Sequence, residues 1–211
     1  MADIAAPVRR SPLAHRAPIE TPGGALRMVE LPFFGKFILR ADRHDAVERL
    51  RVALGLGLPF DALTSSSDGA TSFLWMGPDE WMLVAPPGEA GIRSGEARDV
   101  LEGTHHQLVD VSDYYTIIAI AGAQARALLM KLTTLDLHPR VFRRGMVTGG
   151  VFGRANATLW LRDDGEELET FQLFVRWSMA DYLWCVLADA GREWGLPAQT
   201  PVTGERLTID A

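Results

Sequence analysis

The sequence predicts an α+β fold: two lobes of mostly antiparallel sheet with packed helices. Three observations carry this. Hairpin signals dominate, helix signals are few and short, and the order of elements in the first half recurs in the second. Gly77-Pro78-Asp79-Glu80 and Asp163-Asp164-Gly165 each sit between strand-like runs, where their turn chemistry folds the chain back on itself.

Residues 1–23 form a segment of their own. Pro7, Pro12, Pro18 and Pro22 are spaced so that neither a helix nor a central strand runs through them. Arg9, Arg10 and Arg16 stand against Asp3 and Glu20, leaving this segment net +1 and the rest of the chain −7. Val8, Leu13 and Ile19 alternate with the prolines, which a purely solvated tail does not need. An extended arm that orders on a surface is expected. Met1 to Arg10 has no apolar core after its charges, so no secretory signal is expected there.

The first lobe is expected over 24–104. Leu26 to Leu31 and Phe34 to Arg40 read as strands on either side of Pro32. Asp42 is placed to cap a helix to Leu54, with Ala46, Val47, Leu50 and Leu54 on one face and Gly55 as the stop. Thr71 to Met76 and Trp81 to Ala85 make a hairpin. Gly88 to Gly95 reads as loose chain before a short helix over Glu96 to Glu102.

The second lobe, 105–195, repeats the order. Gln107 to Ala121 is strand-like with a break at Ser112-Asp113. Ala125, Leu128, Leu129 and Leu132 give a helical stripe. Thr158 to Leu161 and Thr170 to Val175 pair as a hairpin. The last helix starts from a capping-box-like Ser178 and Asp181, carries Met179, Leu183, Val186, Leu187, Ala190 and Trp194 on one face, and ends at Gly195 and Pro197. Residues 196–211 follow as a tail.

Composition excludes several functions. The chain has 211 residues, 47% apolar and 23% charged, with 21 Lys and Arg against 27 Asp and Glu. A net charge of −6 is not that of a general nucleic-acid binder, and no nucleic-acid partner is expected. One cysteine, Cys185, excludes an intrachain disulfide framework and a Cys-rich zinc module. No apolar run is long enough to span a membrane. A soluble, cytoplasmic protein is expected.

Motifs for catalysis are missing. Leu54-Gly55-Leu56-Gly57 follows a helix, so it is not a dinucleotide loop. Gly149-Gly150-Val151-Phe152-Gly153 lies among strand-like residues and reads as a bend or bulge. His105-His106 would point to opposite faces of a strand, which does not suit one metal ion. His138 precedes Pro139 and has no nucleophile beside it. Cys185 lacks a sequence neighbour that would lower its pKa. On the last helix, Trp184 flanks the core stripe and Cys185 and Ala188 lie further round, where a partner surface is expected.

Five blocks, in one order, resemble the gamma-subunit family of heterotetrameric sarcosine oxidases. They are Pro7 to His15, Trp75-Met76-Gly77-Pro78-Asp79-Glu80-Trp81-Met82-Leu83-Val84, Val109-Asp110-Val111-Ser112, Leu135-Asp136-Leu137-His138-Pro139 and Ala180-Asp181-Tyr182-Leu183-Trp184. The likeness runs from Pro7 to Gly195, with Asp113-Tyr114-Tyr115 and Trp177 as local departures. It implies a fold like the folate domain of the glycine-cleavage aminomethyltransferase. It also implies a non-catalytic subunit in a complex that oxidises sarcosine to glycine. FAD, FMN, NAD, tetrahydrofolate and zinc would then sit on the alpha, beta and delta partners, with none on this chain, and the large alpha subunit would be the main contact. Gly153-Arg154-Ala155-Asn156 has no carboxylate where aminomethyltransferases place one to hold the pterin.

On this reading no residue of the chain is catalytic, cofactor-binding or metal-binding. The expected subunit contacts are Val8, Arg9, Arg10, Leu13, His15 and Ile19 on the arm, and Trp184, Cys185 and Ala188 on the last helix. Removing residues 1–19 is expected to leave the lobes folded and to weaken assembly. The same residues also allow the equivalent subunit of an N-methyl amino acid dehydrogenase complex, an autonomous folate-binding aminomethyl-transfer protein, or a non-enzymatic interaction module.

Overall fold

A computed structural model of the chain describes residues 9–162 and 168–202, the side chains of 43–47 excepted. In chain order the elements are β1 (Ile19–Glu20), β2 (Arg27–Leu31), β3 (Gly35–Ala41), α1 (Arg43–Leu54), β4 (Ser65–Ser67), β5 (Ser72–Gly77), β6 (Glu80–Ala85), α2 (Ala90–Val100), β7 (His106–Asp110), β8 (Tyr115–Ala121), α3 (Ala125–Met130), β9 (Val147–Phe152), β10 (Ala155–Leu161), β11 (Thr170–Arg176) and α4 (Ala180–Ala190). Among the described residues they form one sheet in the order β1-β2-β8-β11-β10-β9 and another in the order β4-β5-β6-β3-β7. Every pairing is antiparallel. The α+β class with antiparallel sheets is the one the hairpin signals predict.

The layering follows from period-two alternation in strands that are apolar on both faces. In β6, Trp81 and Leu83 face a core shared with Leu50 and Leu54 of α1 and Ala97 of α2. Met82 and Val84, between them, face the opposite way, into a layer they share with Ile117, Trp160 and Phe174 of the other sheet. In β11, Phe171, Leu173 and Val175 pack under α3 and α4 beside Leu128, Leu183 and Leu187. The order of layers is helices, sheet, sheet, helices.

The sheets do not follow the 24–104 and 105–195 division. β2 leaves the first half to pair with β8, Met28 opposite Ile120, while β7 leaves the second half to pair with β3, Leu39 opposite Leu108. The two runs β2–β3 and β7–β8 therefore cross from one sheet to the other side by side. The break at Ser112-Asp113 is this crossing. Val111 N donates to Lys36 O at 2.8 Å, Lys36 N to Ser112 Oγ at 3.0 Å, and Ser112 N to Asp110 Oδ1 at 2.8 Å.

Other elements differ from expectation for local reasons. α2 starts at Ala90 instead of Glu96, because Glu89 N and Ala90 N both close onto Pro86 O at 3.0 and 3.1 Å. α4 is entered through a 3-10 turn, Trp177–Met179, and its N-cap is Met179 with no side-chain cap bond. The capping box does not form because the Asp181 carboxylate is engaged elsewhere. α4 stops at Ala190 with Gly191 as its cap, a turn earlier than Gly195. Gly149 and Gly150 sit in regular register opposite Thr158 and Ala157, with no bulge. Gly150 is small because Leu135 lies over it: a Cβ there would stand 2.5 Å from Leu135 Cδ1. The Asp163-Asp164-Gly165 turn lies outside the described residues, although its flanking strands pair as expected, Leu161 opposite Phe171.

Candidate functional site

The arm is fixed to its own chain. Residues Ser11 to His15 turn tightly, with Ala14 N donating to Ser11 O at 3.2 Å and Arg16 N to Leu13 O at 2.7 Å. The turn swings Leu13 inward, where it is 1% exposed in the core beneath α3 and α4. β1 then adds to the sheet edge, Ile19 opposite Met28.

Asp181, near the start of α4, gathers three segments. Its Oδ1 accepts from Arg16 Nε at 2.8 Å and Nη2 at 2.6 Å, and lies 2.8 Å from His15 Nε2. Its Oδ2 accepts from Val202 N at 2.9 Å. Arg16 also donates to Gln199 Oε1 at 3.1 Å, Thr200 O at 2.7 Å and Cys185 Sγ at 3.3 Å. Burial acts to raise the Asp181 pKa, but the bonds from Val202, Arg16 and His15 outweigh it and hold the carboxyl below its ordinary value. Arm, helix and the start of the expected tail are one charge-assisted tether.

Several expected contact residues are corrected by this packing. Leu13, Trp184, Cys185 and Ala188 are all buried within the chain, at 1%, 1%, 6% and 0% exposure. The arm and residues 196–202 are what cover the α4 flank. Ile19 is half-buried against the same core, and His15 is bound to Asp181. Burial pushes the Cys185 thiol pKa up, with Arg16 acting in the opposite direction. Arg9 and Arg10 remain exposed. Val8 lies outside the described residues.

At the strand crossing the sequence reading missed a buried lysine. Lys36 is 1% exposed, and its Nζ donates to Phe34 O at 2.7 Å. Burial, with the nearby charge of Arg9, lowers its pKa from 10.5 to about 8, while Asp113, Asp110 and Glu30 pull it back up. One polar residue inside Gly35-Lys36-Phe37-Ile38-Leu39 was the available signal. Above it, Arg9 pairs with Asp113 and lies 4.7 Å over the Phe33 ring. Ser11 Oγ and Thr116 Oγ1 donate to the two oxygens of Glu30 at 2.5 and 2.6 Å. Beside this cluster Tyr114 and Tyr115 meet edge to face at 4.7 Å, and Trp177 N donates to Tyr114 O at 2.9 Å.

His105 and His106 line an open depression of about 660 Å³ with Arg40, Asp42 and Asp79, and His106 Nδ1 lies 3.1 Å from Thr104 O. Among the described residues no group of three His, Cys, Asp or Glu is placed to hold a metal ion. His138 belongs to a local turn, its N donating to Asp136 Oδ1 at 2.9 Å and its Nδ1 accepting from Arg140 N at 3.2 Å. A second missed group, Arg126, is buried against Glu169 and donates to Phe142 O at 3.0 Å, tying α3 to the loop before β9. A groove of about 320 Å³ is lined by Tyr115, Gly149, Asn156, Thr158, Phe174 and Arg176. No carboxylate is among the residues that line it, whereas the amino and ring N–H donors of a pterin call for one.

Two antiparallel sheets around a shared inner layer, with helices outside, define an α+β chain of aminomethyltransferase-like fold. The structure superposes on the glycine cleavage system aminomethyltransferase T from Bartonella henselae with a TM-score of 0.61 at 17% identity, covering 78% of this chain and 46% of that one. Residues 40–193 match the sarcosine oxidase, gamma subunit family, and the chain belongs to that family. It is 33% identical over 159 residues to sarcosine oxidase subunit gamma of Arthrobacter sp, covering 72% of this chain and 77% of that one. A chain of the heterotetrameric sarcosine oxidase from Corynebacterium sp. U-96, solved in complex with pyrrole 2-carboxylate, superposes with a TM-score of 0.78 at 27% identity, covering 91% of this chain and 99% of that chain.

Proposed function

We propose that this chain is the gamma subunit of a heterotetrameric sarcosine oxidase and serves it as a non-catalytic structural subunit. The observation that carries the reading is the likeness over 91% of this chain and 99% of the chain from the U-96 oxidase. The tether supports it as well. Arg16 and His15 of the arm and the Val202 backbone N–H of the tail all close on Asp181, which fixes the shape of one surface.

On this reading the oxidative demethylation of sarcosine to glycine belongs to the partners. FAD, FMN, NAD, tetrahydrofolate and zinc are held by the alpha, beta and delta chains, the large alpha subunit is the main contact, and the complex is cytoplasmic. The groove beside Asn156, with no carboxylate among its lining residues, supports placing folate elsewhere. The test is co-production of a tagged chain with the alpha, beta and delta chains of the same organism. An equimolar complex with sarcosine-dependent oxygen uptake is expected, and the isolated chain should neither carry flavin nor turn over sarcosine. A chain that purifies alone overturns the proposal.

A further inference from the structure

Tyr114 and Trp177 are large aromatics left 46% and 41% exposed, and they are held together at the end of the strand crossing. Their backbones are joined by the bond from Trp177 N to Tyr114 O at 2.9 Å. Tyr115 braces Tyr114 edge-on, and the Arg176 guanidinium lies 5.4 Å from the Tyr114 ring centre. Rigid aromatics beside arginine are the composition of interaction hot spots, and burying them against another protein removes apolar area from water at little entropic cost.

Charge selects the occupant. The chain carries a net −6, yet Arg176 and Arg10 form no ion pair among the described residues. Arg9 is neutralised by Asp113. Arg176 also lines the groove of about 320 Å³, together with Tyr115, Gly149, Gly150 and Asn156. An exposed guanidinium that lines a groove and lies beside the exposed Tyr114 ring takes a carboxylate, with an apolar side chain against the aromatic.

We infer that the Tyr114–Arg176–Trp177 face, with its groove, docks a carboxylate-bearing loop of another subunit of the oxidase complex. The inference rests on the proposed function and names the surface that carries it. It differs from the contacts expected on the α4 flank, which the chain covers itself.

The test uses the four-chain complex. Arg176→Glu and Trp177→Ala are compared with Ile92→Ala, an exposed apolar residue on α2 that is 62% exposed. Thermal melting of each free chain checks folding. Arg176→Glu and Trp177→Ala should each weaken assembly with the other three chains by at least about tenfold, and Ile92→Ala should leave it unchanged. The wild-type affinity should fall with added salt more steeply than that of Arg176→Gln. Normal assembly by both site variants, or equal salt dependence of wild type and Arg176→Gln, overturns the inference and leaves the proposed function standing. A wild-type chain that does not join the other three overturns both.

Discussion

Arg16 donates through Nε and Nη2 to one oxygen of Asp181, 165 positions further along the chain, at 2.8 and 2.6 Å. The pair closes the arm over α4, and Val202 N on the other carboxylate oxygen closes the tail over both. Asp181→Asn should therefore release arm and tail together. Limited trypsin digestion should cut after Arg10 and Arg16 at least about tenfold faster in the variant, since cleavage follows the population of the open form. Equal cutting rates would contradict the tether.

The same carboxyl sets an acid limit. Its pKa lies below the ordinary 3.8 in the folded chain. The unfolded chain therefore binds the proton first, and the stability from the tether is fully present above 3.8 and is lost as pH falls through the lower folded value. Urea unfolding of wild type and Asp181→Asn should show a constant gap near neutral pH that narrows at the acid end. A gap that widens on acidification would reverse the sign.

Leu13 makes the arm part of the core. Leu13→Ala removes a side chain that is 1% exposed and should cost about 2–5 kcal/mol in urea unfolding. Removal of residues 1–19 should destabilise the chain by at least as much, because β1 and Arg16 go with it. This replaces the sequence-based expectation of an arm that comes off without harm to the lobes. A truncated chain with the wild-type melting temperature would restore that expectation.

The sequence made the strands legible and left their partners hidden. Trp81-Met82-Leu83-Val84 alternates between two cores, and its apolar run announces a strand buried on both faces. Nothing in Arg27 to Leu31 tells that β2 pairs with β8 instead of β3, because either sheet accepts the same pattern. Asp181 reads as a cap from its spacing to Ser178, and only the folded arm shows that Arg16 and His15 take its oxygens. Trp184 lies at the flank of the helix stripe, and only the folded arm shows that Leu13 shares its core. Lys36 passed unnoticed because a lysine in a strand is ordinarily solvated, and its burial depends on two chain segments crossing together.

Gly122 marks the approach of β8 to the segment before β2. Its φ is +120°, and a Cβ there would stand 2.3 Å from Ala25 O, a backbone atom that cannot swing away. Gly122→Ala should cost more than about 3 kcal/mol, through strain and collision together. Gly149→Ala, with nothing within 4 Å of the added carbon, serves as the control and should change stability by less than about 1 kcal/mol. Similar losses in the two variants would show that the close approach is not what requires glycine.

Lys36 gives the alkaline prediction. Its pKa falls from 10.5 to about 8 on folding, chiefly by burial and then by Arg9, against the pull of Asp113, Asp110 and Glu30. Between these values the unfolded chain binds the proton that the folded chain has released, so stability rises with pH across that window. Below the window the buried charge is destabilising by on the order of 3 kcal/mol relative to the neutral amine. Lys36→Met removes the titration and leaves Phe34 O without its donor, which offsets part of that gain. The stability of wild type relative to Lys36→Met should climb from about pH 8 and level off near 10.5. Arg9→Ala removes one of the two causes that lower the pKa and should move the start of the climb to higher pH. Urea unfolding of the three proteins across the window reads both effects, and a wild-type-to-methionine difference that stays flat with pH would mean that Lys36 titrates outside this range.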